Sequence, residues 1–151
     1  MSRAKKDPRR RARESALQIL YQWEVGRRDV DEAADTFFNQ QWPDVEPPSD
    51  GLRTFATILA HDTVQRLEAI DPLIAGTTER WRPERMALID RLILRMAICE
   101  LMRGSEGAEA PPAVVIDEAL ELARTFSSEE SVKFINGILD AVRKKLNKSE
   151  V

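Results

Sequence analysis

The stretch RRRARESALQILYQW, residues 9–23, decides how the rest of the chain is read. Ala12, Ala16, Ile19, Leu20 and Trp23 recur at i, i+4, i+7, i+8 and i+11, which is one face of an α-helix. The same stretch opens on Arg9, Arg10, Arg11 and Arg13. Cations on a free tail would be mobile, whereas cations joined without a breaker to a core helix are held in place. The pattern predicts a helix over 9–25 that stops near Gly26. Leu17 and Tyr21, spaced i and i+4, form a second apolar strip, with Tyr21 roughly 150° from the centre of the first face. A neighbouring helix or a binding partner would cover that strip equally well.

Outward from this helix, the periodicity of about 3.6 residues persists and no useful run of strand-like alternation occurs. Asp29 to Glu32 reads as a capping box for a second helix, with Ala33, Ala34, Phe37, Phe38 and Gln41 facing inward. Pro43, Pro47 and Pro48 enforce a loop. A third helix from Ser49 or Asp50 carries the stripe Leu52, Phe55, Ala56, Leu59, Thr63 and Ile70, with His61 opposite it and facing solvent. Asp71-Pro72 then opens a short helix that fades by Gly76, with Pro72 in its first turn. Trp81-Arg82-Pro83 marks the next boundary. A fifth helix, from about Pro83 to Met102, is apolar nearly all round, with Met86, Ile89, Ile93 and Met96 on one strip and Leu94, Ile98 and Leu101 on another. Such a helix is central to its half of the molecule. Asp90 lies at the edge between the strips, as a partner contact or an internally paired carboxylate. After a loop at 103–110, Pro111-Pro112 opens a sixth helix whose inner arc runs from Val115 to Phe126. Ser127 to Glu130 reads as a capping box for a seventh, with Val132, Ile135, Leu139, Val142 and Leu146 inward and Lys133 and Phe134 off that stripe. Gly137 within it implies close approach of another backbone. Arg143, Lys144, Lys145 and Lys148 suit the negative end of the helix.

The expected fold is therefore all-α, about seven helices in two small bundles behind a basic arm. The expected organisation is a disordered arm over 1–8, an N-terminal helical subdomain over 9–80, a C-terminal one over 81–146 and a tail over 147–151. A chain of 151 residues is long enough to bury a real core as one compact domain.

Charge is unevenly divided. Residues 1–13 carry seven Lys/Arg against Asp7 alone, a net of +6, while the remaining residues carry 16 basic and 25 acidic groups, a net of −9. A basic arm on an acidic body points to a polyanion at one end, with a solvated tail as the plain alternative. The single cysteine, Cys99, allows no internal disulfide and sits in an apolar run as a buried thiol. Nothing approaches an apolar run of about 18 residues, and no apolar segment follows the N-terminal charges, so the chain reads as cytoplasmic. Nucleotide-binding glycine motifs, metal-binding His pairs and C-x-x-C are missing from the sequence. One histidine and one core cysteine make no nucleophile–base pair. The reading is a binding protein, not an enzyme, with no cofactor and no metal. Planar arginine with aromatic neighbours suits single-stranded RNA, although an acidic protein partner fits the same charges.

Three separated runs also resemble a known family. Arg10-Arg11-Ala12-Arg13-Glu14 with Ala16 and Leu20-Tyr21-x-Trp23 is similar to the start of the bacterial transcription antitermination factor NusB family. Leu94-Arg95-Met96-Ala97-Ile98-x-Glu100-Leu101 resembles its central helix. Ile116-x-Glu118-Ala119-x-Glu121-Leu122-Ala123-Arg124-x-Phe126, followed by Lys133-Phe134-x-Asn136-Gly137-x-Leu139-Asp140, resembles its C-terminal signature. The resemblance implies binding to single-stranded boxA of nascent ribosomal RNA, in a heterodimer with NusE (ribosomal protein S ten). It also implies read-through of termination signals by an RNA polymerase elongation complex carrying other Nus factors. By position, it implies RNA contacts at Arg9, Arg10, Arg11, Arg13, Lys133 and Phe134, and partner contacts at Tyr21, Asp90 and Glu130. A NusB-like interaction scaffold without sequence-specific RNA binding is the alternative.

Overall fold

The computed structural model describes residues 8–40, 42–77, 86–105 and 110–149. Its described residues form helices and no strand: α1 (Pro8–Gly26), α2 (Val30–Phe38), α3 (Asp50–Gln65), α4 (Leu67–Ala75), α5 (Leu88–Ser105), α6 (Pro112–Phe126) and α7 (Glu129–Ser149). Seven helices among the described residues, and an all-α class, are as the periodicity predicts. The chain divides into two compact units, Met1–Val64 and Gln65–Val151. The boundary expected at Trp81-Arg82-Pro83, the cations of residues 1–7 and the position of Gln41 lie outside the described residues.

In the first unit, α1 starts with Pro8 at its first position, where a missing N–H costs nothing. Ala12, Ala16, Ile19 and Leu20 are buried as predicted, Leu17 joins them, and Trp23 is half-buried. Helix α1 ends with Arg27 in the left-handed region at φ 51°. The Asp29 carboxylate caps α2 by accepting from the backbone N–H of Asp31 and Glu32, and Val30, Ala33, Ala34 and Phe38 bury its inner face. The Ser49 hydroxyl accepts from Leu52 N–H and caps α3. Solvent-facing His61 has a partner: its Nδ1 lies 3.1 Å from Asp31 Oδ1 and links α3 to α2.

In the second unit, α5 packs against α4, α6 and α7. Its Leu92, Ile93, Leu94, Met96, Ala97, Ile98, Cys99 and Leu101 are all buried, as a helix apolar all round requires. The described helix begins at Leu88 rather than near Pro83, leaving Met86 half-buried ahead of it, and runs on to Ser105, beyond the expected end at Met102.

Proline placement differs more sharply. The chain breaks at Arg66, whose carbonyl accepts from both Ala69 and Ile70 N–H, so Pro72 lies inside α4 and not in its first turn. Proline within a helix costs about 3 kcal/mol. Ile70 and Ile74, one turn apart and fully buried, contribute about 1.5–3 kcal/mol each and offset it. The neighbouring Asp71 receives two hydrogen bonds of 3.0 Å from the Arg95 guanidinium, tying α4 to α5.

Two further expectations change. Gly137 has nothing within 4 Å of the place its Cβ would take, so close approach of another backbone is not its reason. Phe126 ends α6 with 40% of its surface exposed, so the inner arc is not buried to its last residue.

Candidate nucleic-acid interface

The first unit builds a fixed arginine cluster. Arg9, Arg10 and Arg11 occupy the opening turn of α1, which holds no acidic residue. That is the positive end of the helix, where acidic groups are favoured and each cation costs about 0.3–1 kcal/mol. Helix stability therefore does not explain them.

Aromatic side chains from elsewhere in the unit hold Arg9, Arg11 and Arg13. The Arg9 guanidinium lies 4.2 Å from the Phe55 ring centroid, and that of Arg13 lies 5.4 Å from the same ring. Arg11 sits 5.7 Å from the Trp42 ring and donates from Nη2 to the Glu46 carbonyl at 2.6 Å. These distances are within cation–π range, and guanidinium stacks well on such faces. The four arginines are not equivalent: Arg9 is exposed, Arg10 and Arg11 are half-buried, and Arg13 is buried at 4% exposure. Arg13 thus packs as part of the unit's interior edge. Phe55 and Trp42 were legible only as a core position and a loop aromatic, since they lie more than 30 residues from the arginines they hold, as the Arg11–Glu46 separation of 35 illustrates.

On the far part of α1, Tyr21 is 39% exposed and Val25 54% exposed, while Leu17 between them and the core is buried. The second strip of α1 is therefore half covered and half open.

The second unit exposes a face of α7. Glu130, Lys133, Phe134 and Gly137 are all exposed and fall at i, i+3, i+4 and i+7, so they share one side of the helix. Phe134 shows 36% of its surface. Farther along, the Asp140 carboxylate binds Arg143 at 2.9 Å and Lys144 at 3.1 Å. The hydrogen bond and then the charge of Lys144 hold its carboxyl below the ordinary value of 3.8; burial opposes them, and the charge and hydrogen bond of Arg143 add smaller effects on the side of Lys144. Much of the basic cluster at the end of α7 is thus internally paired.

Asp90 has a different surrounding. It is 6% exposed, and its two oxygens accept from the hydroxyls of Ser127 and Ser131, each at 2.7 Å. Ser128, not Ser127, caps α7: its Oγ accepts from Ser131 N–H, while Ser127 closes α6 and turns its hydroxyl to Asp90. The cap is thus one residue later than expected, and with Ser131 three residues on it is a plain serine cap and not a capping box. Asp90 therefore joins the start of α5 to the α6–α7 corner. Of the two serines bonded to Asp90, only Ser127 was legible in the sequence, and as a helix cap; Ser131 carried no signal.

Among the described residues, no helix is long and apolar enough to cross a membrane, and no cluster of three His, Cys, Asp or Glu side chains is placed to hold a metal ion.

The model of the NusB family matches residues 10–144. A relative from Solibacter usitatus (strain Ellin6076), the transcription antitermination protein NusB, is 47% identical over 91% of this chain and 90% of its own length. The structure of T. maritima NusB superposes with a TM-score of 0.79 at 32% identity, covering 97% of this chain and 100% of that one. A chain in the crystal structure of antitermination factors NusB and NusE in complex with dsRNA has the same fold, with a TM-score of 0.78 at 23% identity over 93% of this chain and 99% of that one. With its described helices, its arginine-headed α1 and a match over nearly its whole length, the chain belongs to the NusB family.

Proposed function

We propose that this chain is an RNA-binding transcription antitermination factor that takes single-stranded boxA of nascent ribosomal RNA together with NusE and suppresses termination by RNA polymerase with other Nus factors. The observation that carries the reading is the arginine cluster of α1, placed at the end of the helix where cations are unfavourable and fixed there on aromatic rings. Cations kept against the helix dipole suit a polyanionic ligand, and the name of the Solibacter relative supports transcription antitermination as the setting. The crystal structure that pairs NusB with NusE and dsRNA supports NusE and RNA as the kinds of partner.

Within this proposal Arg9, Arg10 and Arg11 contact phosphates, and Arg13, on the same Phe55 ring as Arg9, supports them. Lys133 and the exposed Phe134 ring supply a cation and a stacking face from α7, the pairing that single-stranded nucleic acid favours. Tyr21 and Val25 offer an apolar patch with a polar tip for NusE, and exposed Glu130 offers it a charge. Asp90 acts through the corner it holds. The proposed role is that of a cytoplasmic binding protein with no reaction to catalyse.

Affinity for a boxA strand against a scrambled strand of equal length, with and without purified NusE, tests this. The expected result is a boxA preference that NusE strengthens. Equal affinity for both strands in both conditions would leave a protein scaffold and remove the RNA reading.

A further inference from the structure

We propose that the loop from Trp42 to Pro48 is a positioning device for Arg11, holding its guanidinium ready for an RNA phosphate. This rests on the RNA-binding reading above. The loop makes two separate contacts with that one group: the Trp42 ring, whose centroid lies 5.7 Å from the guanidinium carbon above it, and the Glu46 carbonyl accepting from Nη2 at 2.6 Å. Together they restrain the guanidinium from two sides. A guanidinium carries five N–H donors, so a bond to one carbonyl leaves the group unsaturated.

The ring is itself held in place. Phe37 meets Trp42 edge-on at 5.5 Å between centroids, and Phe38 meets Phe37 at 5.0 Å. The Trp42 indole N–H is buried with no hydrogen-bond partner among the described residues. An indole placed for its N–H would be bonded when buried; this one is placed for its faces. Pro43, Pro47 and Pro48 stiffen the loop that carries it. Long cationic side chains lose much rotamer freedom when they engage a phosphate, and prior restraint reduces that loss. Trp42 is accordingly a positioning residue that acts on RNA through Arg11.

A double-mutant cycle with a fluorescent single-stranded boxA RNA tests this in the full chain, using Trp42→Ala, Arg11→Ala and the pair. Arg11→Ala is expected to weaken binding about tenfold and Trp42→Ala about fivefold, in line with loss or loosening of one charge-assisted phosphate contact. In the Arg11→Ala background, Trp42→Ala is expected to add nothing. Trp42→Phe, which keeps an aromatic face, restores most of the affinity, and this variant keeps the test valid where Trp42→Ala lowers the melting temperature. A folded Trp42→Ala protein with wild-type affinity overturns the proposal, as does an equal loss in both backgrounds, which would make Trp42 a direct RNA contact. Wild-type protein that binds boxA no better than a scrambled strand overturns the RNA reading as well. That outcome is separate from a boxA-binding wild type in which Trp42 is silent.

Discussion

Asp90 is the residue that most separates charge from availability. On a helical wheel it is an acidic edge position, suited to a partner or to an internal pair. Its 6% exposure and its two serine hydroxyls make it a buried anchor for the α6–α7 corner. Replacing it with alanine removes the carboxylate that both hydroxyls use and leaves Ser127 only the Ser131 hydroxyl, 3.0 Å away. Asp90→Ala is expected to lower unfolding stability by about 2–4 kcal/mol, with Asp90→Asn losing less, as denaturant titration would read. A change below about 0.5 kcal/mol for Asp90→Ala would show that the serines find other acceptors at little cost. Arg13 teaches the same lesson in the other direction. Four arginines look alike in sequence, but Arg13 lies one turn farther into the helix on the same face as Arg9, and it is buried where Arg9, at the helix end, is exposed.

At the scale of the element, α7 shows what periodicity resolves and what it misses. Its inner stripe of Val132, Ile135, Leu139 and Val142 is buried, and Ile138 joins it. The place of a glycine in a helix carries no such pattern, so the empty surroundings of Gly137 were not legible. With open space at the Cβ position, Gly137→Ala is expected to stabilise the protein by about 1 kcal/mol, read as a rise in melting temperature. A fall would mean that the helix needs glycine there. The Asp140 carboxyl in the same helix is held below its usual value by Lys144 and Arg143. A carboxyl depressed in the folded state stabilises it above the unfolded value and loses that contribution as pH falls through the folded one. Wild type should therefore exceed Asp140→Asn in melting temperature at pH 6, and the gap should close in acid below the ordinary value of 3.8. Helix α4 is where local signals misled: Asp71-Pro72 looks like a helix start, but burial of Ile70 and Ile74 on both sides of the proline outweighs that preference.

For the molecule as a whole, helical content and the order of the seven described helices were legible because apolar spacing is a local property that burial then enforces. The residues that hold the arginines were not, because Phe55, Trp42 and Glu46 meet them only after the chain folds back. This also bears on how the arm is tested. Deleting residues 1–13 would remove Ala12 and Arg13 from the interior of the first unit as well as the cations. Substituting Arg9, Arg10 and Arg11 together by glutamine removes charge and leaves the helix face intact. The central claim is that these arginines grip RNA phosphates, and the direct measurement is the dependence of boxA affinity on salt concentration. Each phosphate neutralised on a single strand contributes about 0.7 to the slope of log affinity against log salt, so the triple variant should flatten the slope by about 2. An unchanged slope in a folded triple variant would contradict the account.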